Sequence, residues 1–274
     1  MDTKIAIPSE TMPKILMEMN AIFTLVGREI KITLKSPSRL LIAILWPVLT
    51  FGMYGNQLAQ NMGNKMGYDF TNFMLVGQLI NALFMMSMYT IGTLAEDREN
   101  DFTQEIFVSP VSRYSIIFGK IIGGAFPSYL QYFSTIFIGL ALGTQLTASQ
   151  FLLMLAISPL MCIAAGSIGV LVIGCIRNPN TANMFLSIIA SLQMLVSGAM
   201  IPVKDSTGLM AIVSHLMPMT YAVDLSRGLC DSAAAKQSET VMLPPWLNLC
   251  IVLGFTVVFF VVGTWQFVQS EKNK

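Results

Sequence analysis

Long apolar runs, separated by short polar or charged stretches, form the dominant pattern of this 274-residue chain. Six of these runs approach or exceed the roughly 20 residues that an α-helix needs to cross the hydrocarbon core of a bilayer. Apart from Lys120 near the start of the third run, they contain no Asp, Glu, Lys, Arg or His. Their approximate ranges are 40–58, 71–95, 115–143, 150–176, 181–203 and 247–268. The pattern predicts an all-α integral membrane protein with six transmembrane helices.

The segment before the first run is amphipathic. Its apolar residues recur at steps of three or four, which is the spacing of one face of a helix. They are Ile15, Met19, Ile22, Val26 and Ile30. We predict that this helix lies along the inner membrane surface and ends at Pro37; the alternative is packing against a soluble partner. The predicted domains are residues 1–39 for a tail with this interfacial helix, 40–268 for a single six-helix domain, and 269–274 for a second tail.

Basic residues are unevenly distributed between the two sides of the predicted bundle. Twelve of the sixteen Lys and Arg residues lie before the first run, in the stretch 96–120, between the fourth and fifth runs, or after the sixth. The other four are Lys65, Lys204, Arg227 and Lys236. Because Lys and Arg accumulate on the cytoplasmic side of membrane proteins, both termini are expected in the cytoplasm of a multi-pass protein of the cell (plasma or inner) membrane.

Composition argues against several classes of protein. Charged residues make up 11% of the chain and the mean hydropathy is +0.66, unlike a soluble domain. A net charge of +1 provides no basic face for nucleic acid. The single histidine, His215, and four scattered cysteines lack the spacing of a metal site. A nucleotide-binding Walker loop is also missing, because Gly119-Lys120 is followed by Ile121 and position 114 is tyrosine. We expect no metal, no cofactor and no catalysis by the chain itself.

Charge density rises sharply between the second and third runs. The charged residues of 96–101 precede the stretch Phe102 to Val108, in which Phe102, Ile106 and Phe107 are apolar, and then Ser109-Pro110-Val111-Ser112-Arg113. Mixed charges followed by a short apolar helix suit docking against a soluble partner. A solvated loop that only anchors the topology remains the alternative.

Two stretches together resemble the ABC-2 type transporter permeases. The first, 96–120, is similar to the family pattern E-D-R-E, a short apolar helix, S-P-V-S-R and G-K. The second, 197–202 with 218–228, is similar to S-G-x-x-x-P and P-x-T-Y-x-V-D-x-x-R. Six spans and an amphipathic N-terminal segment also fit, so the resemblance covers nearly the whole chain. Within this family, the chain resembles the drug, lipid and polysaccharide exporters, such as the daunorubicin-resistance permeases.

This resemblance implies the permease subunit of an exporter that moves a drug, a lipid or a lipid-linked glycan outward. It implies three partners: two copies of a separate ABC ATPase that bind ATP and Mg²⁺, a second permease chain as a homodimer or a sister chain, and membrane lipid. The 96–113 loop would carry the coupling helix that receives the ATPase motion, and the turn at 177–180 is either a second contact or a bare turn. The expected coupling residues are Glu96, Asp97, Arg98, Glu99, Phe102, Glu105, Phe107, Pro110, Arg113 and Arg177.

On the side opposite the cytoplasm, Pro202 should end the fifth span early. The stretch 209–217 that follows is apolar but too short to span the membrane. The resemblance implies a re-entrant hairpin here that caps the path. Asp224 and Arg227 are one helical turn apart, at the spacing of a local ion pair with a structural role. The expected cap residues are Pro202, His215, Pro218, Tyr221, Asp224 and Arg227.

A few amide side chains interrupt the predicted spans. Gln78, Asn81 and Met85 follow helical spacing in the second span, and Gln193 lies beside Met194 in the fifth. Because amides in hydrocarbon need hydrogen-bond partners or a cavity, these residues either surround a substrate path at the dimer centre or hold neighbouring helices together.

Two other functions stay open. An ion- or proton-coupled secondary transporter usually carries ionisable residues at membrane depth, which the apolar runs lack. A membrane enzyme or sensor scaffold would need a catalytic cluster or an added domain, and the stretch 229–246 is too short for one. The pattern favours the exporter subunit.

Overall fold

The structure, a computed structural model, describes residues 14–62, 69–99, 111–204, 206–230 and 241–272. Within these ranges the chain forms ten α-helices and one π-helical segment, Val48–Gly55, that continues α2. The helices are α1 Lys14–Lys35, α2 Pro37–Pro47, α3 Asn56–Met62, α4 Phe70–Glu99, α5 Arg113–Ala141, α6 Ala148–Cys175, α7 Pro179–Val196, α8 Leu209–Leu216, α9 Pro218–Cys230 and α10 Pro245–Lys272.

Local side-chain contacts fix the start of two long helices. Before α6, Thr147 and Gln150 form a capping box in which the Thr147 N–H donates to Gln150 Oε1 at 2.9 Å. Before α7, the Thr181 N–H donates to Asn178 Oδ1 at 3.0 Å, and Pro179 occupies the first turn, where no partner for its missing N–H is needed. These polar caps satisfy backbone donors that the preceding carbonyls cannot reach.

Helix α4 forms the centre of the bundle. In its most apolar 18-residue stretch, 94% is buried. The other helices therefore surround α4 on every side. Met74, Leu79, Ile80 and Leu83 are fully covered. With 30 residues at 1.5 Å each, α4 is about 45 Å long, which exceeds the hydrocarbon thickness of a bilayer. Its two ends therefore lie near opposite faces of the protein.

Four helical segments in the described part of the chain are long and apolar enough to cross a membrane: Pro37–Gly55, Phe70–Arg98, Ala148–Cys175 and Pro245–Ser270. The pair α8 and α9, bent by 81° at its break, gives a fifth if it counts as one span. The protein is therefore all-helical where described and a multi-pass membrane protein. Helices α5 and α7 occupy the third and fifth predicted spans, and the count of six stays a prediction.

The predicted end of the fifth span at Pro202 is wrong. Helix α7 ends at Val196, and residues 197–203 form an irregular segment. Gly198, two residues beyond the helix, has φ +82°, a conformation that glycine adopts without steric penalty and that commonly terminates helices. The irregular segment packs directly on α4, because a Cβ added at Gly77 would lie 2.0 Å from the Ala199 carbonyl oxygen.

Helix α1 covers the segment predicted to be an amphipathic helix, and one of its faces packs against α5. Its buried residues are Glu29 and Thr33. A Cβ added at Gly119 of α5 would lie 3.2 Å from Ile22 Cα, and one added at Gly123 would lie 2.8 Å from Glu29 Cβ. The two backbones are therefore in close contact. Ile15, Met19 and Phe23 form part of an exposed apolar side, which is the side that a membrane surface would cover.

Candidate functional site

Four charged side chains meet where α1, the last turn of α4 and the first turns of α5 come together. We call Arg28, Glu29, Asp97 and Lys120 the Asp97 cluster. Lys120 Nζ donates to Glu29 Oε1 at 2.6 Å and to Asp97 Oδ2 at 2.5 Å. Arg28 donates to Asp97 through two bonds of 3.0 and 3.2 Å and to Glu29 at 3.1 Å. Each cation contacts both anions, so the cluster is an alternating square with no net charge.

The four groups differ in their access to solvent. The side chains of Glu29 and Lys120 are 1% and 4% exposed, whereas those of Arg28 and Asp97 are 31% and 16% exposed. Burial alone would lower the pKa of Arg28, but the hydrogen bond and charge of Asp97, with those of Glu29, raise the pKa above its ordinary value. Arg28 is therefore a permanent cation at the outer edge of the cluster.

Arg98, the residue after Asp97, faces the other side of α4. Its guanidinium donates to the Ile173 carbonyl oxygen of α6 at 3.4 Å and to Ser270 Oγ of α10 at 3.0 Å. The guanidinium carbon lies 4.3 Å from the centroid of the Phe267 ring, a cation–π contact. Two consecutive residues of α4 thus contact four other helices: α1 and α5 through Asp97, and α6 and α10 through Arg98.

The structure divides the predicted coupling residues into three groups. Glu96 and Arg177 are exposed and Arg113 is half-buried, so all three can reach a partner. Asp97 and Arg98 contact neighbouring helices, which fits orienting the loop better than docking to a partner. The predicted coupling helix lies outside the described residues, as do four of the predicted positions: Phe102, Glu105, Phe107 and Pro110. For Glu99, only the backbone is described.

Sequence analysis missed Glu29 and Lys120 as site residues. Glu29 lies four and seven residues after Leu25 and Ile22, on the α1 face that packs against α5, which was a usable signal. Lys120 lies inside an apolar run, where an unpaired cation would be unfavourable. Their partners are distant in the sequence, since the Lys120–Glu29 bond joins residues 91 positions apart.

A second polar site lies at the opposite end of α4, on α9. Asp224 is 4% exposed and accepts hydrogen bonds from the Met242 N–H at 2.8 Å, the Leu243 N–H at 2.9 Å and Asn248 Nδ2 at 2.6 Å. Two of these donors directly precede α10 and Asn248 lies in its first turn, so this carboxylate holds the chain where α10 begins.

Arg227 of α9 is also 4% exposed and holds the end of α7 and the start of α4. It donates to the Gly198 carbonyl oxygen at 2.7 Å, and its guanidinium carbon lies 3.4 Å from the Phe73 ring centroid. The predicted ion pair between Asp224 and Arg227 is absent from the described contacts, because each group faces a different helix end. We call these two residues the Asp224–Arg227 site.

The remaining predicted cap residues lie around the bend between α8 and α9. Pro218 begins α9 and is buried, and Pro202 lies in the irregular segment after α7. Tyr221 donates its hydroxyl proton to the His215 carbonyl oxygen at 2.7 Å across the bend. His215 itself is exposed, and its Nδ1 lies 2.6 Å from the Ala211 carbonyl oxygen. The contacts described for His215 are local.

The amide residues are buried inside a single chain. Asn81 Nδ2 donates to Gln78 Oε1 at 3.3 Å, and Gln193 Nε2 lies 3.4 Å from Met88 Sδ. Gln78, Asn81 and Gln193 are at most 3% exposed, and each retains a polar atom without a described partner. Met85 is buried and Met194 half-buried. The Gln193–Met88 contact joins α7 to α4, whereas the Asn81–Gln78 bond lies within α4, so in this structure the amides make their contacts inside one bundle.

Comparison with known proteins matches this architecture to one family. The profile described as ABC-2 type transporter matches residues 20–230. The chain belongs to the ABC-2 type transporter family. A relative from Cyanophora paradoxa whose name describes it as a transport permease (ycf38) is 25% identical over 258 residues, covering 92% of this chain and 89% of the relative.

Membership of the ABC-2 family establishes the general role of the chain. It is a transport permease component rather than a catalytic chain, and permeases of this family are generally paired with an ATPase subunit. The Asp97 cluster and Arg98 therefore lie in a membrane transport subunit, at the start of the segment 96–113, whose sequence resembles the coupling loop of ABC-2 permeases.

Proposed function

We propose that the chain is the permease subunit of an ATP-binding cassette exporter, in which two separate ATPase subunits bind ATP and Mg²⁺ beneath a dimer of permease chains. Both termini and the Asp97 cluster lie on the cytoplasmic side, and the Asp224–Arg227 site lies on the outer side. Helices α5 and α7 complete six spans, and α8 with α9 forms a re-entrant hairpin. The cargo is a drug, a lipid or a lipid-linked glycan, and it moves outward.

The observation that carries this proposal is the last turn of α4. Asp97 and Arg98 lie at the start of the segment 96–113, whose sequence resembles the ABC-2 coupling loop, and together they contact α1, α5, α6 and α10. A force applied to that segment by an ATPase would therefore reach four helices through two adjacent residues. Coupling needs such a contiguous physical path between two sites.

A second candidate is an ion-coupled transporter, because Glu29 and Lys120 are buried ionisable groups within the bundle. Both are paired at 2.6 Å in a cluster without net charge, which argues for a structural or mechanical role of the pair. The exporter proposal needs no change of charge at these groups, and the following experiment separates the two functions.

The test is co-purification of the chain with its candidate ATPase in nanodiscs, with ATP turnover recorded in the same samples. Glu96→Lys and Glu99→Lys reverse charges within the coupling segment, and the exposed Gln57→Lys in α3 is a control that adds a positive charge on the predicted outer side. Arg98→Glu is unsuitable, because Arg98 is 3% exposed and its reversal would disturb packing. We expect the native and Gln57→Lys complexes to hold and hydrolyse ATP, and the two coupling variants to dissociate or lose turnover. Failure of any ATPase to bind the native chain would refute the exporter and favour the ion-coupled transporter.

A further inference from the structure

Helix α1 is joined to α5 as if the two were one body. At Gly119 and Gly123 the α5 backbone lies directly against α1: an added Cβ would lie 3.2 Å from Ile22 Cα and 3.1 Å from Val26 Cα respectively. Between these glycines, Lys120 donates to Glu29 of α1 at 2.6 Å in a nearly solvent-free setting. Separating this pair would leave two buried charges without solvent.

The contact between α1 and α4 has a different character. Its described hydrogen bonds are those of Arg28 with Asp97, and these two side chains are the most exposed of the cluster. Ion pairs that reach solvent contribute little to stability, because water replaces the lost partner. On its other side, α4 is held by the buried contacts of Arg98 with α6 and α10.

The alternating square can open at the Arg28–Asp97 edge without leaving any charge of the cluster unpaired. If Arg28 and Asp97 separate, Arg28 keeps Glu29 at 3.1 Å and Asp97 keeps Lys120 at 2.5 Å. Lys120 and Glu29 stay together, so the square becomes a linear chain of opposite charges. The two groups that part are those that water already reaches.

We propose that α1 and α5 stay joined during the transport cycle and that the Arg28–Asp97 ion pair is the joint that opens between α1 and the end of α4, while Asp97 stays bonded to Lys120 of α5 as the pivot. Helix α1 is then a second mechanical arm beside the coupling segment, and Arg28 and Asp97 are positioning residues. This inference rests on the proposed exporter function, because ATP hydrolysis supplies the motion.

Reversible cross-linking can prevent separation at either of two contacts: α1 with α4 at Arg28 and Asp97, or α1 with α5 at Glu29 and Lys120. In a Cys175→Ser/Cys250→Ser background, which removes the two exposed thiols, one variant carries Arg28→Cys/Asp97→Cys and the other Glu29→Cys/Lys120→Cys. Each pair removes one cation and one anion and leaves the opposite pair intact, so the two variants are matched in charge. A short bis-methanethiosulfonate joins the thiols, and reductant releases them.

A third variant locks α1 to α5 without removing any charge. An added Cβ at Gly119 lies 3.4 Å from Leu25 Cβ, close to the Cβ separation of a disulfide. Leu25→Cys/Gly119→Cys therefore serves if the loss of the buried Glu29–Lys120 pair prevents folding.

ATP turnover of the nanodisc complex is measured before linking, after linking and after reduction. Linking positions 28 and 97 should lower turnover at least tenfold, with recovery on reduction, whereas linking α1 to α5 through either other pair should change it less than twofold. Tolerance of the 28–97 link would show that this joint does not open, and a stall caused by an α1–α5 link would show that α1 moves against α5. Either result overturns the inference.

The outcome remains distinct from a failure of the proposed function. If the native chain recruits no ATPase, the exporter proposal fails before any link is made. Cross-link yield in the isolated chain then still tests the geometry, and absence of a link between positions 28 and 97 would contradict the contact itself.

Discussion

The two ends of α4 use buried charge in opposite ways. In the Asp97 cluster, two cations and two anions from three helices bond to one another over 2.5 to 3.2 Å. At the Asp224–Arg227 site, one anion and one cation lie one turn apart on α9 and bond to the N–H and C=O groups of other segments. One end joins side chains to side chains, and the other completes the backbone at helix ends.

This difference separates a contact that can rearrange from one that fixes geometry. Ion pairs within a cluster can exchange partners, since each charge has two opposite neighbours. Backbone groups at the start of α10 have no such choice, because their position follows from the chain itself. We therefore expect the Asp97 end to tolerate paired changes of charge and the Asp224 end to tolerate none.

The largest stability effect is expected for Lys120→Met. Removing the Lys120 ammonium group leaves Glu29 buried beside Asp97, with Arg28 as their shared cation. Removing one partner of a buried ion pair typically costs about 3–5 kcal/mol. The free energy of unfolding in mixed micelles with SDS measures this loss. The double variant Lys120→Met/Asp97→Asn should recover part of it, whereas the exposed Lys35→Met should change stability little. Equal losses in the single and double variants would contradict a coupled cluster.

Asp224→Asn should be the next most destabilising change. The amide places its NH₂ group toward backbone N–H donors that the carboxylate accepted, and leaving one buried donor without an acceptor while losing charge-assisted bonds costs about 2–3 kcal/mol. The same unfolding assay measures it. No charge change at Arg227 should rescue the variant, because Arg227 bonds to the Gly198 carbonyl and not to Asp224. Rescue by Arg227→Gln would show instead that the two charges act as a pair.

The close contact between α1 and α5 can be tested at Gly123. An alanine Cβ there would lie 2.8 Å from Glu29 Cβ and 3.1 Å from Val26 Cα, and such overpacking typically costs about 1–3 kcal/mol. Gly254→Ala in α10 is the matched control, since its added Cβ meets nothing within 4 Å. The difference in unfolding free energy between the two variants gives the packing cost. A Gly123→Ala protein as stable as the control would mean that α1 is not packed on α5.

The sequence was most informative where an apolar run matched a helix. Predicted ranges such as 71–95 and 150–176 differ by a few residues from α4 and α6, because length and hydrophobicity determine a span locally. The end of α7 was missed because the positive φ of Gly198 outweighed the more obvious Pro202. The partners of Asp97 were missed for another reason: Arg28 is 69 positions away, and periodicity identifies a helix face without identifying what covers it.

The smallest effect is expected for Arg28→Gln, and it sharpens the comparison within the Asp97 cluster itself. Arg28 is 31% exposed, and its loss leaves Lys120 in contact with both carboxylates, so solvent screening should limit the destabilisation to about 1 kcal/mol or less. If the Arg28–Asp97 pair is only a static contact, ATP turnover of the complex should be unchanged as well. If it is the joint between α1 and α4, ATP turnover should change although the free energy of unfolding falls by only about 1 kcal/mol or less. A loss of stability as large as that of Lys120→Met would show that Arg28 belongs to the permanently joined part of the cluster, and the asymmetry between its two edges would be refuted.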